Sequence, residues 1–195
     1  MPNSPFAVEL SALSGDELPG LIAYLRAKPR MPFRYVSVQA PVKNRQPDES
    51  ATIAMLDGLP LWVRSVIAHR DALSDVVRYR ALGTRLVLEN MDDRKITGRV
   101  AHEMERFFEE LPDAGFCLDV AHVRSIDPTM DPAHELLDQI ASAHVCDTCI
   151  SARSKAGGMC RSPRKTKDCS PRSWTAAETC LGSSKLGRLT GGRRK

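Results

Sequence analysis

Short apolar runs at residues 7–10, 34–38, 63–68, 85–88 and 115–120, each rich in Val, Ile, Leu or Phe, have the length and continuity of buried strands. Between them the apolar positions recur at helical spacing, which predicts helices over 16–27, 49–58, 72–82, 98–111 and 131–143. Ser14, with Glu17 three residues on, has the spacing of a capping box for the first helix. Gly83 and Gly115 stand just beyond two others, where a left-handed residue can close the last turn. Strand and helix thus alternate at about 25 to 35 residues per unit, the pattern of a parallel α/β sheet or barrel.

The residues that end these strands carry the chemistry. Gln39 ends the second run, His69 the third, Glu89 and Asn90 the fourth, and Asp119 with His122 the fifth. In a parallel barrel these ends open onto one face, the face that carries the active site. Carboxylates and imidazoles delivered there from separate strands can assemble a metal site from distant sequence positions. Each residue also has a structural alternative. His69 alone can be a hydrogen-bonded surface histidine, and Asp119 can cap a following turn. Glu89 is harder to explain that way, because a carboxylate ending the run Leu-Val-Leu-Glu-Asn needs a partner if buried. Cys117, two residues before Asp119, shares its face in a strand, but a buried structural thiol accounts for it. Arg94 and Lys95, in the loop after Glu89, suit either a phosphate or solvent.

Charge divides the chain. Its 195 residues are net +4, yet residues 1–145 hold 16 basic and 21 acidic side chains, net −5, while residues 146–195 hold 12 basic and 3 acidic, net +9. Cysteine divides the same way: Cys117 is alone in the first part, and Cys146, Cys149, Cys160, Cys169 and Cys180 fall in the second. A single thiol in the periodic part is not a disulfide framework. The first residues have no basic segment followed by an apolar core, and no run approaches the roughly 18 apolar residues of a membrane span. The expectation is a soluble cytoplasmic protein in a reducing compartment, with no membrane partner.

At its strand ends the sequence resembles the xylose isomerase-like TIM-barrel superfamily, which includes the sugar phosphate isomerases/epimerases and the type-IV apurinic endonucleases. The resemblance is carried by Val36-Ser37-Val38-Gln39-Ala40-Pro41, Val66-Ile67-Ala68-His69, Leu88-Glu89-Asn90-Met91-Asp92 and Cys117-Leu118-Asp119-Val120-Ala121-His122, and spans residues 7–145. It implies that Glu89 is a metal-bridging carboxylate and proton carrier, with Asp119, His122 and His69 as further ligands of a divalent Zn, Mn or Mg ion. Gln39 departs from the pattern, since the superfamily has histidine in this context and a neutral amide binds a divalent ion weakly. So does the strand count. A complete barrel has eight strand-helix units; five strands are predicted here, the first resembling the superfamily's second, which leaves its first and last two without a counterpart. The fold class expected is therefore an incomplete (β/α)8 TIM-type barrel of about five parallel strands.

After residue 145 the periodicity stops. Cys146 and Cys149 have metal-ligand spacing and the basic residues suit a nucleic-acid tail, but Trp174 is the segment's one aromatic residue and nothing there patterns a core. A change of reading frame explains more. Back-translation from Ala143 to Arg161, read one base out of phase, permits Arg-Val-Arg-His-Val-His-Leu-Ser and then Gln-Gly-Arg-Arg-His-Val-Pro-Leu, strings that resemble the superfamily's next metal-binding strand and the turn after it. The expected organisation is a partial barrel over 1–145 and a disordered basic tail over 146–195. The expected function is that of a metal-dependent sugar phosphate isomerase/epimerase-like protein acting on a small sugar or sugar phosphate, with little or no turnover as a fragment. The alternatives are metal-dependent phosphodiester hydrolysis, as in the apurinic endonucleases, and nucleic-acid binding through the tail without catalysis.

Overall fold

The alternation of apolar runs and amphipathic segments folds into parallel strands joined by helical connections. In the computed structural model the residues described are 7–44, 49–142 and 150–153. The strands are β1 (Ala7–Ser11), β2 (Tyr35–Gln39), β3 (Ser65–His69), β4 (Leu86–Glu89), β5 (Gly115–Asp119) and β6 (Ile150–Arg153). They hydrogen-bond in sequence order, every pair parallel. This singly wound order has no point at which the strand sequence reverses, so the sheet curls into a half-barrel, consistent with an incomplete TIM-type fold.

The α-helices are α1 (Leu18–Arg26), α2 (Glu49–Asp57), α3 (Ala101–Glu110), α4 (Val120–Ile126) and α5 (Asp131–Ser142). Because side chains alternate along a strand, one face of the sheet presents Val38, Val66, Ala68, Leu86, Leu88, Phe116 and Leu118. These pack in one cluster with Leu18, Ile22 and Leu25 of α1, Met104, Phe107 and Phe108 of α3, and Leu136 of α5. Phe108 and Phe116 meet edge to face at 6.2 Å, a favoured aromatic geometry. The opposite, concave face holds a smaller cluster of Ile67, Val87 and Cys117. Cys117 is buried and outside any disulfide, on the face of Asp119 as the strand period requires.

The departures from the sequence pattern are local. The capping box is half formed: the Ser14 N–H donates to Glu17 Oε2 at 3.2 Å, but the helix begins at Leu18, with Pro19 in its first turn. Residues 72–82, expected as an α-helix, instead run from the end of one 3₁₀ turn, Arg70–Ala72, through non-helical residues 73–75 into a 3₁₀ segment, Val76–Arg85, that is kinked at Gly83. Gly83 has a positive φ of 51°, but its ψ of −137° is not that of the left-handed helix cap expected; it kinks the Val76–Arg85 segment instead. Gly115 does not close a helix; it is the first residue of β5, opposite Val87, and Leu111 ends α3. The seven-residue helix α4 was not expected as a separate element, nor was β6, which pairs Phe116 with Ile150 and Asp119 with Arg153. β6 lies inside the segment expected to be disordered; the rest of residues 146–195, including the cysteine pairs and the basic run, lies outside the described residues. No helix among the described residues is long and apolar enough to cross a membrane.

Candidate metal centre

Parallel register brings the strand ends together. His69 stands opposite Glu89 across β3 and β4, and Glu89 stands opposite Cys117 across β4 and β5, one turn of the pleat before Asp119. Glu89 is fully buried, Asp119 nearly so, and the side chains of His69 and His122 are each 17% exposed. A carboxylate at 0% exposure demands cationic or hydrogen-bonding compensation. Glu89 faces an imidazole on either side: Oε1 is 3.6 Å from His122 Nδ1 and Oε2 is 3.6 Å from His69 Nε2. The two rings stand edge to face, 6.3 Å apart.

The two oxygens of Asp119 meet different partners. Its Oδ1 accepts the backbone N–H groups of Ala121 at 2.7 Å and His122 at 3.0 Å, so it is the N-cap that starts α4. Its Oδ2 stands 3.9 Å from His122 Nε2. Both sequence readings of this residue, cap and ligand position, are therefore compatible in one side chain. His122, placed three residues into the turn that Asp119 begins, is oriented by its Nδ1, 2.7 Å from the Asn90 carbonyl oxygen. A carbonyl only accepts, so Nδ1 donates, and in the neutral ring Nε2 keeps its lone pair. This is the arrangement that second-shell carbonyls impose on metal-binding histidines.

Asn90 is a site residue that the strand-end pattern marked only by position. Its Oδ1 accepts the Asp119 N–H at 2.6 Å and its Nδ2 donates to the Asp119 carbonyl at 3.1 Å, so one side chain clamps the end of β5 to the end of β4. With its own carbonyl on His122, Asn90 fixes two of the three groups around Glu89. Its signal in the sequence was the Glu-Asn pair itself.

Glu89, Asp119 and His122 each offer a ligand atom, and these atoms lie within 4.8 Å of one another. Two carboxylates and an imidazole form a donor set suited to a divalent ion. Their buried acidic charge fits such a cation, which would be held by Glu89, by Asp119 Oδ2 and by His122 Nε2. His69 adjoins the group through Glu89 but is not among the three; Gln39 Nε2 lies 2.8 Å from its Nε2. Arg94 and Lys95, in the loop after β4, are both engaged. Arg94 pairs with Asp92, whose carboxyl is held below the usual carboxylate range chiefly by that guanidinium, and Lys95 Nζ lies 2.5 Å from Asp71 Oδ2. A cavity of about 270 Å³, lined by Tyr79, Gly83, Leu86 and Pro112 among others, opens at the N-terminal ends of β4 and β5, the far end of the strands from these residues.

Fold and site together define a parallel α/β half-barrel that gathers a buried carboxylate-imidazole cluster at the C-terminal ends of its strands. No protein-family model matches the chain, and no curated protein or solved structure matches it.

Proposed function

We propose that the chain is a divalent-metal-binding half-barrel whose chemistry belongs with the sugar phosphate isomerases and epimerases of the xylose isomerase-like superfamily. The observation that carries this reading is the convergence of Glu89, Asp119 and His122 at the ends of adjacent parallel strands, with the fully buried Glu89 at the centre. A bound divalent ion supplies Lewis-acid polarisation of a carbonyl and hydroxyl pair on the substrate. The chain's own residues do the rest. Asp119 and His122 are held by the α4 cap and by Asn90, and in this reading the Glu89 carboxylate carries the proton at the adjacent carbon. A small sugar or sugar phosphate is the substrate class this chemistry serves. Turnover by this chain is expected to be low or nil, because an open half-barrel offers few groups to enclose a substrate.

Titration of the purified chain with Zn²⁺ and with Mn²⁺, beside its Glu89→Ala variant, tests the reading. Saturable binding that weakens at least about tenfold in the variant supports it. Identical weak binding by both removes Glu89 from the site and ends the proposal.

A further inference from the structure

His69 Nε2, the ring atom 3.6 Å from Glu89 Oε2, is also the atom that Gln39 reaches at 2.8 Å. Gln39 is itself fixed: it is 4% exposed, and its Oε1 accepts from Ser11 Oγ at 3.0 Å. The parallel registers bring these groups together, with Ser11 opposite Gln39 across β1 and β2, and Gln39 beside Ile67, two residues before His69, across β2 and β3. An amide nitrogen donates and cannot accept, so the amide N–H occupies the Nε2 lone pair of His69. If the amide is turned over, its carbonyl faces a nitrogen that must then hold a proton. In either orientation the His69 Nε2 that lies 3.6 Å from Glu89 Oε2 has no lone pair open to a cation.

We infer that Gln39 withholds His69 from the metal centre, so that the chain binds a divalent ion through one imidazole, His122, and the two carboxylates. Gln39 is thus the residue that sets the ligand count, and Ser11 is a positioning residue that acts through it. A set of two carboxylates and one imidazole is harder than one with two imidazoles, so the lock also lowers the advantage of Zn²⁺ over Mn²⁺. This inference rests on the metal-centre reading and goes beyond it, since it assigns a role to a neutral side chain that ligates nothing.

The test uses the full chain with Zn²⁺ or Mn²⁺ as the only added species. X-ray absorption at the zinc edge of the wild-type complex is expected to count one imidazole. His69→Ala should leave Zn²⁺ affinity within about threefold of wild type, and His122→Ala should lower it by about tenfold or more. Gln39→Ala removes the amide from Nε2, and should raise the imidazole count to two and tighten Zn²⁺ by about tenfold, with a smaller gain for Mn²⁺. The double variant Gln39→Ala/His69→Ala should return to the wild-type value. Two imidazoles in the wild-type complex, or a loss in His69→Ala as large as that in His122→Ala, would overturn the inference. If circular dichroism shows that Gln39→Ala does not fold, the wild-type imidazole count and the His69→Ala affinity decide alone. Two imidazoles in a site that still depends on Glu89 overturn the lock but leave the metal centre standing. Binding indifferent to Glu89→Ala overturns both.

Discussion

Truncating Asn90 to alanine removes both side-chain bonds that tie the end of β5 to β4 and leaves the Asp119 N–H and carbonyl without those partners in a buried setting. Stability should fall by about 1–3 kcal/mol in urea unfolding. Divalent-metal affinity should fall by about 10–100-fold, because Asp119 and His122 lose their common reference; an affinity that stays at the wild-type value would make Asn90 a structural clamp only. Asp119→Asn separates the two roles of that residue. Asparagine caps a helix about as well as aspartate, so the unfolding midpoint should scarcely move, while loss of the charged Oδ2 should weaken Zn²⁺ by about tenfold or more. A large stability loss with unchanged metal binding would leave Asp119 as a cap alone. Residue by residue, the sequence marked His69, Glu89, Asp119 and His122 together, because each has a structural alternative on its own but all four fall at strand ends that share one face. It could not reveal the bond from Gln39 to His69, which depends on how β2 and β3 align side by side, and hydropathy does not specify that alignment.

Individual elements show where local pattern decides structure and where tertiary contact overrides it. The five apolar runs became strands whose ends differ by two residues or fewer from the pattern, since continuous Val, Ile and Leu runs of that length have few other uses in an alternating α/β chain. Residues 72–82 read as an α-helix because their apolar spacing fits one, yet the buried Glu49 carboxylate accepts the N–H groups of Ser74 at 3.0 Å and Asp75 at 2.9 Å. That contact from α2 holds the approach to the Val76–Arg85 segment in a non-helical form, and the chain continues as a 3₁₀ helix. Glu49→Ala should therefore cost about 2–3 kcal/mol, measured by urea unfolding, because charge-assisted bonds to two backbone donors are lost together; a loss under about 0.5 kcal/mol would show that the carboxylate is not the anchor. The loop after β4 is closed differently. The Met91 N–H donates to the Gly98 carbonyl at 2.7 Å, and Gly98 has a φ of 80° that a side chain would strain. Within this loop the Arg94 guanidinium, aided by the Arg94 backbone N–H and opposed by burial, holds the Asp92 carboxyl below its usual range. A carboxyl with a lowered folded pKa adds stability that is complete above its unfolded value of about 3.9 and is lost as pH falls through the folded value. Wild type should accordingly melt above Asp92→Asn near pH 7, with the gap narrowing as pH drops below about 4. A gap that stays constant with pH would mean that the aspartate acts through shape rather than charge.

For the whole molecule, the division of charge and periodicity near residue 145 leads to the most decisive prediction. Residues 1–145 are net −5 and carry all five of the strands legible from hydropathy; residues 146–195 are net +9 and hold five of the six cysteines without a core pattern. The sixth strand was illegible because Ile-Ser-Ala-Arg offers only two apolar residues, too few to stand out from a polar surrounding. It nevertheless pairs with β5 where a continuing barrel would place its next strand, and Arg153 stands at the register position opposite Asp119. The out-of-phase reading supplies His-Val-His-Leu over the codons of residues 147–151, which overlap β6 at Ile150 and Ser151, so an apolar stretch bearing imidazoles would lead into the position of this polar strand. If the frame changed there, the coding DNA after the codon for Ala143 contains an uninterrupted shifted frame that spells both strings and continues with helical and strand periodicity. A stop codon inside that stretch, or codons that do not spell the two strings, would end the explanation. If the shifted frame is present, the chain rebuilt on it should bind Zn²⁺ at least about tenfold more tightly than the present chain, because an imidazole-bearing strand would add to a ligand set now drawn from β4, β5 and α4 alone. Equal affinity in the two chains would show that the centre formed by Glu89, Asp119 and His122 is self-sufficient and owes nothing to the strand that follows β5.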